Sequence, residues 1–398
     1  MKKNAKHLLA LLMAVAMLLA LTACGGGSSQ SAPAAEADTA AAEGAQVFKL
    51  GGVGPLTGAA AIYGNAHKNG MEIAVKEINA LGGDIQFEMN FQDDEHDAEK
   101  SVNAYNNLKD WGMQILVGPT TTTPALAVSA EVNTDRIFML TPSASALTVV
   151  DGKDNVYQVC FTDPNQGTAS AQYIDEQSLG ENIAIIYNNA DAYSTGIYNK
   201  FMEEAEARGL NVVSVTTFTD DTTDFSVQVA DARDKGADLL FLPMYYTPAS
   251  LIFAKAAEME YKPFYFGVDG MDGILTLEGF DTALAEGVIL LTPFSADATD
   301  EKTVNFVSQY QEAYGETPNQ FAADGYDCVY AIYEALQQGD ITADMSTEDI
   351  CSALMEVFNG GFTFDGITGE GMTWNANGEV SKDPKGMVIE NGAYVGMD

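Results

Sequence analysis

The sequence is poor in the residues from which enzymes and nucleic-acid binders are built. Of 398 residues only 3 are His, and 19 Lys or Arg stand against 57 Asp or Glu, for a formal net charge of −38. So acidic a surface repels phosphate backbones and anionic headgroups, which excludes nucleic acid and a charge-driven hold on lipid. His7 falls in an N-terminal leader, which leaves His67 and His96. No Gly-x-Ser-x-Gly elbow, Gly-x-x-x-x-Gly-Lys-Ser/Thr loop, His-Glu-x-x-His or Cys-x-x-Cys occurs, so the common hydrolase, nucleotide, zinc and redox designs are missing. Beyond Cys24 only Cys160, Cys328 and Cys351 remain, an odd set that cannot form a complete disulfide framework. Cys328 and Cys351 fall on apolar helical faces, where cysteine acts as a small hydrophobe, and free thiols are expected. The only arginines are Arg136, Arg208 and Arg233. None falls in a loop expected to line a pocket, which argues against a ligand with a second carboxylate.

One long apolar run does occur. Lys2, Lys3 and Lys6 precede an apolar stretch from Leu8 to Leu21, and the run closes on Leu21-Thr22-Ala23-Cys24. A basic head, a short apolar stretch and small residues before a cut make a secretory signal. The small-small-Cys ending resembles the bacterial lipobox, which implies cleavage before Cys24 and a lipid on its thiol. Residues 1–23 are thus expected to be a lipoprotein signal peptide. Residues 24–45 are rich in Gly, Ser, Ala and acids, with no large apolar side chain to offset chain entropy, and form a flexible tether. No second apolar run is long enough to cross a membrane.

From Val47 onward short apolar runs alternate with helical stretches. Val47–Val53, Ile115–Gly118, Ile137–Leu140, Ile183–Tyr187, Val212–Phe218, Leu239–Pro243 and Val288–Leu291 read as buried parallel strands. Met71, Ala74, Val75 and Ile78 have the spacing of a helix lying on a sheet, closed by a left-handed glycine at Leu81-Gly82-Gly83. Further helices fit residues 98–109, 123–132, 166–179, 195–208, 225–235, 248–259, 304–314 and 321–336. Strand–helix alternation predicts α/β architecture with doubly wound, Rossmann-like parallel sheets, run once over 46–162 and again over 163–290.

The chemistry-bearing residues cluster after predicted strands. Gly118-Pro119-Thr120-Thr121-Thr122-Thr123-Pro124 and Thr141-Pro142-Ser143-Ala144-Ser145-Ala146 are rich in hydroxyls. The ligand crevice of an open parallel sheet lies beyond the strands' carboxyl ends, where helix N-termini and hydroxyls attract a carboxylate. Asp93-Asp94-Glu95-His96-Asp97 could be imagined as a metal site, but it lacks the glycine and distal glutamate of a calcium loop. Capping of the helix that starts near Ala98 explains it more simply, and no metal or cofactor is expected.

Gly54-Pro55-Leu56-Thr57-Gly58, Ile62-Tyr63-Gly64, Gly70-Met71-Glu72 through Gly83, Asp93-Asp94, Val117-Gly118-Pro119-Thr120 and Thr141-Pro142-Ser143-Ala144-Ser145 occur in that order. Together they resemble the branched-chain amino-acid (Leu/Ile/Val)-binding proteins of ABC transporters, which are type I solute-binding proteins. The resemblance implies two lobes, 46–162 plus 292–384 and 163–291 plus 385–398, joined by crossings near 162, 291 and 385 and closing on a ligand. It implies a carboxylate contact at Thr120 or Thr121, further contacts at Ser143 (carbonyl) and Ser145 (hydroxyl), and Tyr63 over the ligand side chain. On the other lobe it implies Tyr193, Tyr245 or Tyr246, and Asp269 for the ammonium, with Asp163 assisting. Asp269 stands where that family carries a glutamate. The expected protein is a monomeric, membrane-anchored receptor that hands a hydrophobic amino acid to a permease. The alternatives are another small solute (an amide, a urea-like compound or an aromatic acid) or a ligand sensor for a signalling partner.

Overall fold

Phe48, Leu50 and Val53 are fully buried along β1 (Gln46–Gly54), the first strand of a computed structural model that describes residues 44–397. The leader, Cys24 and almost all of the tether lie outside the described residues. From β1 the chain runs through α1 (Ala61–Ala80), β2 (Ile85–Asp93), α2 (Ala98–Trp111), β3 (Ile115–Val117), α3 (Thr122–Asp135), β4 (Phe138–Thr141) and β5 (Val156–Gln158). It continues with α4 (Asp163–Glu176), β6 (Ile183–Asn188), α5 (Ala192–Arg208), β7 (Val212–Phe218), α6 (Ser226–Asp234), β8 (Leu239–Leu242), α7 (Tyr246–Glu258), β9 (Phe264–Gly267) and β10 (Ile289–Thr292). Last come α8 (Glu301–Tyr314), α9 (Gln320–Gln338), α10 (Thr347–Asn359), β11 (Thr363–Phe364), β12 (Met372–Thr373), β13 (Lys385–Glu390) and β14 (Ala393–Gly396).

Two sheets share one strand order. The first runs β2-β1-β3-β4-β5, all parallel. The second runs β7-β6-β8-β9-β10 in the same sense and adds the antiparallel pair β13-β14 beside β10. The chain moves from the first sheet to the second through α4 and leaves it after β10. Helix α9 then packs on α1 of the first sheet, and the chain rejoins the second sheet at β13. Glycines make the α1–α9 contact possible. A Cβ at Gly70 would stand 1.9 Å from the Ala322 carbonyl oxygen, and one at Gly325 would stand 2.6 Å from that of His67. Either methyl would force the backbones apart in a core packed like a solid.

Several strands lie beyond the sequence expectations, and each has a reason. β2 is an edge strand whose burial fades after its third residue, so its pattern is largely polar. β5 has only three residues. β9 begins at an exposed Phe264, and β13-β14 is a hairpin rather than a buried parallel strand. Helix α10 was also unforeseen. The helix stop expected at Leu81 is present, with Gly82 at φ +64. Cys160, Cys328 and Cys351 are free and buried, the last two on α9 and α10. No helix among the described residues is long and apolar enough to cross a membrane.

Candidate functional site

Because the two sheets share one order, the loops at their carboxyl ends supply the same kinds of segment from opposite sides of one cleft. On the first side, Asp93 ties down the loop after β1, accepting from the Leu56 N–H at 2.8 Å and the Thr57 hydroxyl at 2.7 Å. That loop leads into α1 and Tyr63. The acidic run after β2 does act as caps and turns: Asp97 accepts from the Lys100 N–H at the start of α2, and Asp94 from the His96 N–H at 2.9 Å.

The threonine loop after β3 divides its hydroxyls unequally. Thr120 is fully buried, bonded to His67 Nδ1 at 2.9 Å and donating to the Val53 carbonyl at 3.3 Å. Thr121 Oγ1 shares a 2.8 Å hydrogen bond with His96 Nδ1. Thr122 opens α3, is 1% exposed, and its hydroxyl has no partner. No side chain caps this helix start, which leaves its N–H groups to anything anionic beside them. In the loop after β4, Ser143 donates to the Thr120 carbonyl at 2.6 Å, while the Ser145 hydroxyl is buried without a partner. The Ser145 carbonyl accepts the Asp163 N–H at 3.0 Å, which brings the start of α4 against this loop.

The opposite side is built around acids and aromatic rings. Asp269 accepts from the Tyr193 hydroxyl at 2.5 Å, and that oxygen in turn accepts the Gly270 N–H at 3.0 Å. The Gln166 side-chain oxygen accepts the Asp269 N–H at 3.2 Å. Tyr193 stacks on Tyr245 with centroids 4.7 Å apart and planes at 3°.

Direct bonds close the cleft. The Tyr63 hydroxyl donates to the Gly270 carbonyl at 2.5 Å and accepts the Tyr246 N–H at 3.2 Å. The Tyr246 hydroxyl accepts the Ile62 N–H at 3.3 Å, and Thr247 donates to the Ala59 carbonyl at 2.8 Å. The Tyr63 ring lies 4.8 Å from that of Tyr246 and 5.6 Å from that of Tyr245.

Asp163 is the group the protein itself satisfies least. It is 1% exposed, and both of its carboxyl oxygens lack a hydrogen-bond partner, as does the Gln166 amide nitrogen one helical turn on. Burial pushes the Asp163 carboxyl well above the carboxylate range; the nearby Ser145 hydroxyl opposes this, and Asp269 and Asp191 add to it. Burial also raises Asp269 to about 6, with the Tyr193 hydroxyl the chief opposing donor. The arginines are engaged elsewhere, with Asp154, with Glu204 and Asp175, and with Asp234. Buried acids, free hydroxyls and an uncapped helix start can together hold a molecule bearing one cation and one anion.

Of the residues expected from sequence, Tyr63, Thr121, Ser145, Asp163, Tyr193, Tyr245 and Asp269 form one connected cluster. Thr120 lies behind it with its hydroxyl spent on the protein, Ser143, expected to act through its carbonyl, turns its hydroxyl to the Thr120 carbonyl, and Tyr246 clasps Tyr63 and Ile62. Thr122 and His96 enter the sequence reading only within the hydroxyl-rich loop and the acidic run, and Gln166 only as the start of a helix. Gln166 could have been found by its i, i+3 spacing from Asp163 on a helix.

A sequence profile of the family described as periplasmic binding protein matches residues 47–392. The Leu/Ile/Val-binding protein BraC3 of Rhizobium johnstonii is 26% identical over 342 residues, covering 85% of this chain and 89% of its own. The branched-chain amino acid transporter substrate binding protein LivJ of Streptococcus pneumoniae, solved with isoleucine, superposes with a TM-score of 0.79 at 26% identity, covering 88% of this chain and 98% of that one. A solute binding protein from R. palustris, solved with benzoate, shares the fold with a TM-score of 0.77 at 18% identity, covering 88% and 95%.

Proposed function

We propose, since the chain belongs to the periplasmic binding protein family, that it is the extracytoplasmic solute-binding component of an ABC transporter and takes an amino acid with an apolar side chain. The observation that carries this reading is Asp163, buried and without a hydrogen-bond partner for either oxygen, close enough to Asp269 for the two charges to repel, with all three arginines paired to other acids. An α-ammonium supplies the missing donors and charge. The Thr122 and Ser145 hydroxyls and the start of α3 supply donors for the α-carboxylate. Tyr63, Tyr193 and Tyr245 provide ring faces for the side chain. A ligand touching both sides favours the closed arrangement, because only differential contacts shift such an equilibrium.

The segments 46–162 plus 292–384 and 163–291 plus 385–398 are read as the lobes that open, hinged near 162, 291 and 385. Binding proceeds without turnover: the His67–Thr120 pair, the arrangement a hydrolase would need, is fully buried, and Thr120 also donates to the Val53 carbonyl. Lipid on Cys24 would keep a monomeric receptor beside its permease, and Cys24→Ala would release it into the medium.

Calorimetry against the amino acids and benzoate tests the reading. Micromolar or tighter binding of apolar amino acids is expected. Binding of benzoate alone would transfer the cleft to aromatic acids, although two buried carboxylates oppose a ligand that is only anionic.

A further inference from the structure

His96 sits in an unusual backbone. It and Glu95 both adopt left-handed conformations, φ 60 and 50, held by Asp94 and Asp93 carboxylates that accept their N–H groups at 2.9 Å each. Such geometry outside glycine persists where the surroundings fix it. Here it aims the imidazole at two parts of the cleft. Nδ1 meets the Thr121 hydroxyl at 2.8 Å, and the ring packs edge-on against Tyr245, 5.5 Å between centroids at 86°. Tyr245 has Tyr193 stacked on one side at 4.7 Å and Tyr63 tilted against it at 5.6 Å. The His96 ring is therefore the contact that Tyr245 receives from the loop after β2, across the cleft from its own strand β8.

We infer that His96 is a specificity-determining residue, the backstop that fixes the Tyr245 ring and so limits the size of ligand side chain the cleft accepts. The inference rests on the reading of the cleft as an amino-acid site. Mechanically, a ligand with a longer side chain must displace Tyr245 toward His96. Rotating the imidazole away breaks the Thr121 hydrogen bond, and the Asp93 and Asp94 bonds to the two left-handed residues hold the backbone beneath it from retreating. Smaller side chains leave all of these contacts intact.

His96→Asn separates the two tasks of the ring. Asparagine tolerates the left-handed backbone and retains a polar group toward Thr121, but it presents no ring to Tyr245. Dissociation constants for alanine, valine, leucine and phenylalanine are measured by calorimetry for the wild type, His96→Asn and His96→Ala. His96→Asn is expected to move the phenylalanine-to-valine affinity ratio about tenfold toward phenylalanine, the scale at which pocket size discriminates. His96→Ala should shift it in the same direction with weaker binding throughout. The ratio is read within one preparation, so a partly unfolded variant still reports. An unchanged ratio, whether affinities hold or fall together, overturns the role of His96 and leaves the amino-acid reading standing. A wild type silent toward all four removes both.

Discussion

Two groups of buried carboxylates in this chain have been treated in opposite ways. Asp324 and Asp327 on α9 are 1% and 0% exposed, and Asp163 and Asp269 at the cleft are 1% and 4% exposed. The first group has its own cation. Lys382 Nζ lies 3.0 Å from Asp324 and donates to the Thr368 hydroxyl at 2.6 Å, which donates to Asp327 at 2.5 Å. Both side chains of the Lys382–Asp324 pair are 1% exposed, and the ammonium draws the Asp324 pKa down against the burial that raises it. The cleft acids have hydroxyl and amide neighbours but no lysine or arginine, and burial dominates their titration. The internal cation makes Asp324 part of the scaffold, whereas Asp163, with neither a cation nor a hydrogen bond to its oxygens, is the carboxylate for which the proposed function supplies an external cation.

Breaking the first group should be the most damaging change. Lys382→Met strands Asp324 without its partner and is expected to destabilise the fold by about 3–5 kcal/mol, read from urea denaturation. Asp269→Asn should do the reverse. It is expected to weaken amino-acid binding about 100-fold, near 2.7 kcal/mol by calorimetry, with unfolding unchanged or slightly harder. If Asp269→Asn unfolds the protein as Lys382→Met does, the contrast between the groups is false.

Acid should distinguish them next. Asp269, Asp191 and Asp272 are each raised by burial from 3.8 to about 6. The folded, ligand-free protein therefore binds their protons more tightly than the unfolded chain does. Their contribution to stability is present below about pH 4 and is lost as pH rises to about 6. An ammonium ligand favours the ionised acids, so affinity should fall as pH drops below 6, by up to about tenfold per unit for each proton displaced. Calorimetry at pH 5 and pH 7 measures this, and Asp269→Asn should flatten part of the profile. The smallest effect expected is that of Thr122→Val, about 1 kcal/mol of affinity for one lost hydroxyl donor, with little change in stability because no protein group depends on that hydroxyl.

Most strands legible in the sequence have apolar neighbours on both faces; Val212–Phe218 is the exception, an edge strand expected to be buried in which only Ser214 and Phe218 are. Ile183, Ala184, Ile185 and Ile186 in β6 and Leu239–Leu242 in β8 are all buried, so composition alone marks them. β2 carries Glu88, Asn90 and Gln92 on one face that loses its cover after Phe87, so its composition does not mark it as a buried strand. At the cleft, Asp269 and Tyr193 were named by the family resemblance and not by residue type alone, since acids after strands and tyrosines at helix starts occur throughout the chain. Position among equals was not readable: four successive threonines differ only by where α3 begins, and that one-residue register turns Thr120 toward His67 and leaves Thr122 unspent. His96 was hidden by a correct explanation of its neighbours, since Asp97 does cap α2 and nothing in the string Asp-Asp-Glu-His-Asp predicts left-handed backbone.

The Tyr63 hydroxyl, with one donor and one acceptor bond both reaching across the cleft, has a kinetic consequence. Opening must break the bond to the Gly270 carbonyl and the bond from the Tyr246 N–H together, because a single oxygen carries both. Neither bond involves the ligand, so the dwell time of the shut form is set partly by the protein, and that part is common to every solute it captures. On the proposed reading these two bonds add a fixed share to the cost of opening, on top of the cross-cleft contacts that each ligand makes. Gating motions of this kind run at about microseconds to milliseconds, and the two Tyr63 bonds slow opening by the same factor for every solute while each ligand's own contacts set the rest.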